Sequence, residues 1–421
     1  MDKVYVTLKR HEVAEGRRYN MVERLRGSFF YPVLARLYPA LHGALIWWTW
    51  QICWLLPVRK RKIIFSNFNG GGFGDNTRYI AEECIRRKIP YALYWVCEKE
   101  GCHFPPELRI IRPNTVSFVY HMSTAGVWVD NTRKCYYFRK KKNQVYIHTW
   151  HAGPGLKRIE KDAGNGLSPQ YIAYAKRDSA HIDLLLSNCR FWTKCFRSCF
   201  WYEGPILEKG LPKNDLYFHD PSPMRRMIRQ YYHLGEETNL VLYVPTWRED
   251  RKLHVYHLDF EGCLSAFEKR FGGRWVMLVR LHPNVNAADF DIHYTDRVLN
   301  ASSYDNSQEL LAAGDAVITD YSSCGFDYIQ LGRPSFLYAE DYEKMKADKG
   351  YYLELSDLPV PAAFSNEEMI RNILEFSDEE YQRNRKIFME KMEYCDDGHA
   401  SEAVVDYILR KKNCIQAESV V

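Results

Sequence analysis

The sequence predicts an α/β protein with two doubly wound, mainly parallel sheets in tandem. Three observations carry that expectation. Short apolar runs alternate with stretches of helical apolar spacing from residue 62 to about 202. A turn-rich stretch of little periodicity, "EGPILEKGLPKNDLYF" at 203–218, then interrupts the pattern. The alternation restarts at residue 239 and closes in a charged helical tail.

In the first half, "KIIFSNF" (62–68) reads as a buried strand and "NGGGFGDN" (69–76) as a glycine-rich loop. "TRYIAEECIRRK" (77–88) has helical spacing, and "YALYWVC" (91–97) returns to strand. Further strands are expected at "GVWVDN" (126–131), "QVYIHTW" (144–150) and "DLLLSN" (183–188), followed by an aromatic-rich helix ending near Tyr202. In the second half, "NLVLYVPTW" (239–247) and "RWVMLVRLHP" (274–283) are strands that run into polar loops. "NSQELLAAG" (306–314) is a short helix, "DAVITD" (315–320) a strand, "YSSCGFDYIQLG" (321–332) a helix start and "RPSFLY" (333–338) a strand. The expected units are therefore 1–60, 61–220 and 221–421, the last including the C-terminal helices. Two such sheets leave a cleft, and ligands of open α/β sheets bind at the carboxyl ends of the strands.

Composition narrows the function classes. A chain of 421 residues has room for two domains. A net charge of +5 argues against a general nucleic-acid binder held by a basic field. The twelve cysteines are scattered, and even Cys189, Cys195 and Cys199 lack the two-residue gap of zinc or redox motifs, so free thiols are expected. The charged start "MDKVYVTLKRHEVAEGRRYN" has no apolar core and is no secretory signal.

The stretch "LYPALHGALIWWTWQICWLLPV" (37–58) has no Asp, Glu, Lys or Arg. Basic residues flank it: Arg24, Arg26 and Arg36 before, "RKRK" (59–62) after. Its length approaches a membrane span, but His42, Thr49, Gln51, two bracketing prolines and several indoles favour the interface. The expectation is a helix lying in the membrane plane on anionic lipid, with a true span or a helix packed on the protein as the alternatives.

Four places could carry chemistry. In "VITDYSSCGFDY" a strand ends at Asp320 and a helix starts about Ser322 or Ser323, where free N–H groups and two hydroxyls suit a diphosphate; N-capping explains the same residues. In "VRLHPNV" His282 leaves a strand beside Pro283, able to donate to a phosphate or to sit in the core. In "VPTWRED" Arg248 could pair with phosphate or with a nearby carboxylate. In "YIHTWHAGPGLKRIEKD" (146–162) His151 ends an apolar strand and could remove a hydroxyl proton, or be an ordinary strand-end histidine. Gly153 beside it permits close backbone approach to a substrate, and Lys157, Arg158 and Lys161 would surround an anion. The glycine loop is neither a Walker motif nor a dinucleotide fingerprint, and no His/Glu or Cys/His set has metal-ligand spacing.

Taken together, the chain resembles the CDP-glycerol glycerophosphotransferase family, the teichoic-acid primases and polymerases. The blocks run in order: "IIFSNFNGGGFGDNTRYIAEE", "VWVDNTR", "IHTWHAGPGLKRIEKD", "GLPKND", "LYVPTWRED", "LHPNV", "VITDYSSCGFDYIQLGRPSFLYAEDYE" and "KGYY". The resemblance implies two Rossmann-like domains of glycosyltransferase-B type, attached peripherally to the cytoplasmic face of the membrane. It implies transfer of an alditol phosphate, glycerol or ribitol phosphate, from a CDP-alditol to a hydroxyl of a lipid-linked (polyprenyl diphosphate) saccharide, with release of CMP. It assigns His151 as the acceptor-side base and His282 to the donor diphosphate. It puts Asp320, Ser322 and Ser323 at the donor phosphates, and Arg248 as a weaker phosphate contact. No cofactor and no metal are expected, no nucleic acid is a partner, and homo-oligomerisation stays open. Where the family usually has His-Gly-Thr-Pro, this chain has His151-Ala152-Gly153-Pro154 with an extra Gly155, so the hydroxyl contact and acceptor type are expected to differ there. The absence of a large extra N-terminal domain leans toward a short member, leaving primase or polymerase open. Competing readings are a sugar transferase with a nucleotide donor and a non-catalytic assembly factor.

Overall fold

A computed structural model describes residues 31–134, 138–153, 155–246, 248, 258–281 and 292–418. In chain order the first half contains α1 (Tyr31–Trp54), β1 (Arg59–Ser66), α2 (Asp75–Arg86), β2 (Ala92–Val96), β3 (Leu108–Ile111), α3 (Val116–Thr124), β4 (Ala125–Asp130), β5 (Val145–His148), α4 (Pro169–Ser179), β6 (Leu184–Ser187), α5 (Arg190–Cys199) and β7 (Ile206–Glu208). A 3-10 turn, Pro212–Phe218, links the halves. The second half contains α6 (Ser222–Tyr231), β8 (Asn239–Val244), α7 (Phe260–Phe271), β9 (Trp275–Val279), β10 (Val298–Asn300), α8 (Ser307–Ala313), β11 (Ala316–Thr319), α9 (Ser323–Ile329), β12 (Ser335–Tyr338), α10 (Tyr342–Lys349), β13 (Ala362–Ala363), α11 (Asn366–Leu374), α12 (Asp378–Met392) and α13 (Ala400–Glu418).

The first sheet has seven strands in the order β3-β2-β1-β4-β5-β6-β7, and the second has six in the order β10-β9-β8-β11-β12-β13. All the pairings are parallel. Both follow the Rossmann order, reversing beside their first strand, so crevices open at the carboxyl ends of β1/β4 and of β8/β11. Strands covered by helices on both faces read as unbroken apolar runs: β4 and β9 are buried along their whole length. The expected strands thus appear, most of them a residue or more shorter. The expected helix at 77–88 starts two residues earlier, at Asp75.

Two segments pack in ways that local pattern does not show. The last helix of the expected unit 221–421 packs on the first sheet. Val404, Val405 and Ile408 of α13 share a core with Ile63, Phe65 and Trp95 of the first sheet. Arg86 meets Glu402 at 3.2 Å and Arg87 meets Asp406 at 2.5 Å on the same seam. The basic flank at 59–62 is also not all surface. It forms most of β1, where Lys62 is buried, donates to Thr124 Oγ1 at 2.8 Å and lies over the Tyr94 and Tyr120 rings.

Helix α1 packs one face on the first domain through Ile46, Trp50 and Cys53, with Trp50 and Phe138 ring centroids 5.1 Å apart. Its other face leaves Leu37, Leu41, Leu45, Trp48 and Ile52 exposed, and Leu55 just beyond is 83% exposed. Among the described residues no helix is long and apolar enough to cross a membrane.

Candidate active site

β5 ends at His148, and the two histidines of its "HTWH" end separate at once. His148 is fully buried, with Nδ1 3.1 Å from the Asp130 carbonyl, and burial holds its pKa well below the usual range. Trp150 then takes a left-handed backbone, φ +54°, a conformation costing roughly 1–3 kcal/mol for a bulky residue. That kink turns the chain after β5 and sets His151 against Phe68 and the Asn131 carbonyl. The Trp150 carbonyl is held by Asn76 Nδ2 at 3.1 Å.

His151 Nδ1 lies 3.2 Å from the main-chain carbonyl of Asn131, at the end of β4. A carbonyl only accepts, so Nδ1 carries the proton and Nε2 is left with its lone pair. Phe68 and Trp150 flank the ring, with centroids 5.3 and 4.2 Å away. Asn131 also accepts from the Phe68 N–H at 2.8 Å and donates to Asn67 Oδ1 at 2.7 Å, fixing the glycine loop against the histidine. Burial pushes the His151 pKa down to about 4; the Asn131 carbonyl opposes this, and the Lys213 charge adds to it.

The loop beyond His151 crosses to the second domain. A Cβ on Gly153 would come within 3.2 Å of Asp327 Oδ1, and one on Gly155 would sit 3.9 Å from Ser323 Cβ. Gly153 therefore serves close approach between domains. The Lys157 ammonium lies 5.8 Å from the Tyr321 ring centroid. Gly155 and Lys157 are thus brought to the helix start that carries Ser322 and Ser323, and Gly153 to Asp327 in the same helix.

On the donor side, Ser322 caps α9: its hydroxyl oxygen accepts from the Cys324 N–H at 3.3 Å. The capping reading holds. Asp320 is buried and accepts from Thr246 N at 3.0 and 2.9 Å. Arg248 departs from the expected phosphate contact. Its side chain is 1% exposed and pairs with Asp320 at 2.8 Å and Asp341 at 2.7 Å. It also donates to the Thr246 carbonyl at 2.7 Å and lies over the Tyr321 ring. With its donors engaged and its surface covered, Arg248 braces the strand ends from behind, as does Asp320. Arg158, expected beside an anion, donates through Nε to the Tyr351 carbonyl at 3.2 Å. His282 lies outside the described residues. Among the described residues no group of three or more His, Cys, Asp or Glu side chains could hold a metal.

The cleft floor was not visible in the sequence. Lys213, in the linking 3-10 turn, meets Asp327 of α9 at 2.8 Å, with side chains 5% and 0% exposed. Gln308 Nε2 reaches the same carboxylate at 3.3 Å, and the Lys213 N–H donates to Asn76 Oδ1 at 3.2 Å. A hydrogen-bonded path therefore runs from Asp327 through Lys213 and Asn76 to the carbonyl preceding His151. "GLPKND" and "VWVDNTR" stood among the noted blocks, but nothing in their spacing names partners on distant segments.

Two Rossmann sheets in tandem, with the loop after β5 seated against α9 of the second, have the architecture of glycosyltransferase-B enzymes. The chain belongs to the CDP-glycerol:poly(glycerophosphate) glycerophosphotransferase family, which matches residues 49–410. It is 31% identical to a teichoic acid poly(glycerol phosphate) polymerase of Staphylococcus epidermidis over 83% of this chain and 51% of that protein. It is 28% identical to a teichoic acid glycerol-phosphate transferase of Staphylococcus aureus, over 87% of this chain and 97% of that one. Against a solved structure of the wall teichoic acid polymerase TagF it gives a TM-score of 0.77 at 29% identity, covering 87% of this chain and 93% of that one. The chain spans about half the length of the S. epidermidis polymerase.

Proposed function

We propose that this protein transfers glycerol phosphate, or another alditol phosphate such as ribitol phosphate, from a CDP-alditol to a hydroxyl of a lipid-linked acceptor in cell-surface polymer synthesis. The observation that carries the reading is the seating of the His151 loop on the helix start bearing Ser322 and Ser323, within van der Waals reach of Ser323 through Gly155. One side of the cleft then offers a base and the other a set of donors for phosphate oxygens.

In this reading the acceptor hydroxyl attacks the β-phosphorus in line. Nε2 of His151 takes its proton while the new O–P bond forms. The bond to the bridging oxygen breaks, and CMP leaves with the electron pair. N–H groups at the start of α9, with the Ser322 and Ser323 hydroxyls, offset the charge on the phosphates, and His282 acts there by family resemblance. Lys157 adds a cation on the acceptor side. The exposed face of α1, from Leu37 to Leu55, lies in the cytoplasmic surface of the membrane and brings the cleft to a lipid-borne acceptor.

The test is incubation with a panel of CDP-alditols and lipid-linked acceptors, reading CMP release and product mass. His151→Ala and His282→Ala are expected to abolish transfer while CMP binding persists. Undiminished activity in both would sink the assignment, and a glycoside product would replace it with sugar transfer.

A further inference from the structure

The segment after His151 is pinned to the second domain by a short antiparallel pairing. The Arg158 N–H donates to the Gly350 carbonyl at 3.0 Å, and the Tyr352 N–H donates to the Leu156 carbonyl at 2.7 Å. These bonds flank Lys157 and Tyr351, which form an isolated antiparallel bridge. The Arg158 side chain adds the Nε bond to the Tyr351 carbonyl. Gly350 has φ +67°, and a Cβ there would come within 3.2 Å of the Arg158 Cδ. Only glycine both adopts that backbone cheaply and leaves the arginine its place.

The pairing is in register with the donor side. Tyr351 packs against Tyr321 with the rings tilted by 36° and centroids 5.7 Å apart, and Tyr321 directly precedes Ser322. Tyr321 in turn donates to Asp341 Oδ1 at 2.9 Å, inside the Arg248 network. At the other end Leu156 is fully buried, which anchors the pairing on the side of the first domain. Tyr352 extends the clasp by donating to Asp162 Oδ2 at 2.9 Å.

We propose that Arg158 is a positioning residue for His151: with residues 350–352 it clasps the base-bearing loop to the donor domain and sets the base against the bound donor. The clasp rests on the transferase reading above. It makes the base correctly placed only while the two domains are closed on each other, so an open molecule holding donor has no aligned base to activate water.

The experiment uses the full chain with CDP-glycerol and a lipid-linked acceptor. Arg158→Ala removes the side-chain bond, and Arg158→Pro also removes the main-chain donor. Expected is a fall in kcat of about three- to tenfold for Ala, the worth of one hydrogen bond, and a larger fall for Pro. CMP affinity should stay within about twofold, and Arg158→Lys should recover most of the rate, which sets positioning apart from general damage. Amide exchange at 156–158 and 350–352 should quicken in the Ala variant while β5 stays protected. Unchanged kcat in both variants overturns the proposal, as does a loss of rate that only follows a loss of CMP binding. If the wild-type chain releases no CMP from any CDP-alditol, the transferase reading fails. The clasp is then decided by exchange alone: faster exchange upholds it, and unchanged exchange overturns it.

Discussion

His151 Nδ1 lies 3.2 Å from the Asn131 carbonyl, so the ring is held in the tautomer whose Nε2 can accept a proton. His151→Ala removes the acceptor and is expected to lower transfer by at least about a hundredfold, the usual worth of a general base. CMP affinity, measured by titration calorimetry, should be unchanged if, as proposed, Ser322 and Ser323 rather than His151 hold the donor phosphates. His151→Gln should not rescue it, since an amide takes no proton.

The acidity of the site gives a pH prediction. Burial holds His151 at about 4 in the folded chain, below its ordinary 6.5. The acid limb of kcat/KM is therefore expected well below pH 6, and its midpoint should vanish from the His151→Ala residual rate. A bound diphosphate adds negative charge and favours the imidazolium, so the limb in kcat should lie higher than the limb in kcat/KM.

The same shift bears on stability. His151 and His121 both fall to about 4, driven by burial, and His148 is also lowered. A depressed histidine binds its proton in the unfolded chain first, so its contribution is present above pH 6.5 and lost as pH falls toward 4. Thermal unfolding followed from pH 7.5 to 4.5 should show Tm falling most steeply below 6.5, less so in His121→Phe.

The Lys213–Asp327 pair joins the linker to the donor helix with neither charge in water. Lys213→Met leaves Asp327 uncompensated and is expected to cost about 3–5 kcal/mol in denaturant unfolding. Lys213→Met with Asp327→Leu should regain a large part of that loss. A double variant no more stable than the single one would mean the pair is not the source of the effect.

Arg248 separates bracing from phosphate contact. Arg248→Ala strands Asp320 and Asp341, and a Tm loss is expected together with reduced activity. Arg248→Lys should restore little, because one ammonium cannot meet both carboxylates and the Thr246 carbonyl in the same plane. A raised donor KM with an unaltered Tm would return Arg248 to the role of a phosphate ligand.

The proposed membrane contact is tested at the outer face of α1. Replacing Leu41 and Trp48 together by Glu should release the chain from vesicles containing anionic lipid in a flotation assay. CMP binding should persist, since that face is turned away from the core through Ile46 and Trp50.

The sequence by itself determined the alternation of strands and helices, the break near 203–218, and the elements that carry His151, Ser322 and Ser323. These follow from local periodicity and turn chemistry, which act over a few residues. Only the tertiary structure decided what those residues touch. Local spacing offered Arg248 to a phosphate, yet its carboxylate partners lie 72 and 93 residues away. Local spacing offered Arg158 to an anion, yet it meets a carbonyl 193 positions on. Lys62 opens a strand legible in the sequence, yet its partner, the Thr124 hydroxyl, lies 62 residues away. Helix α13 follows the second domain in the chain but fills the core of the first. Hydrogen bonds and burial depend on which segments meet in space, and the long connections through the linker and the crossover helices leave no periodic trace of that meeting.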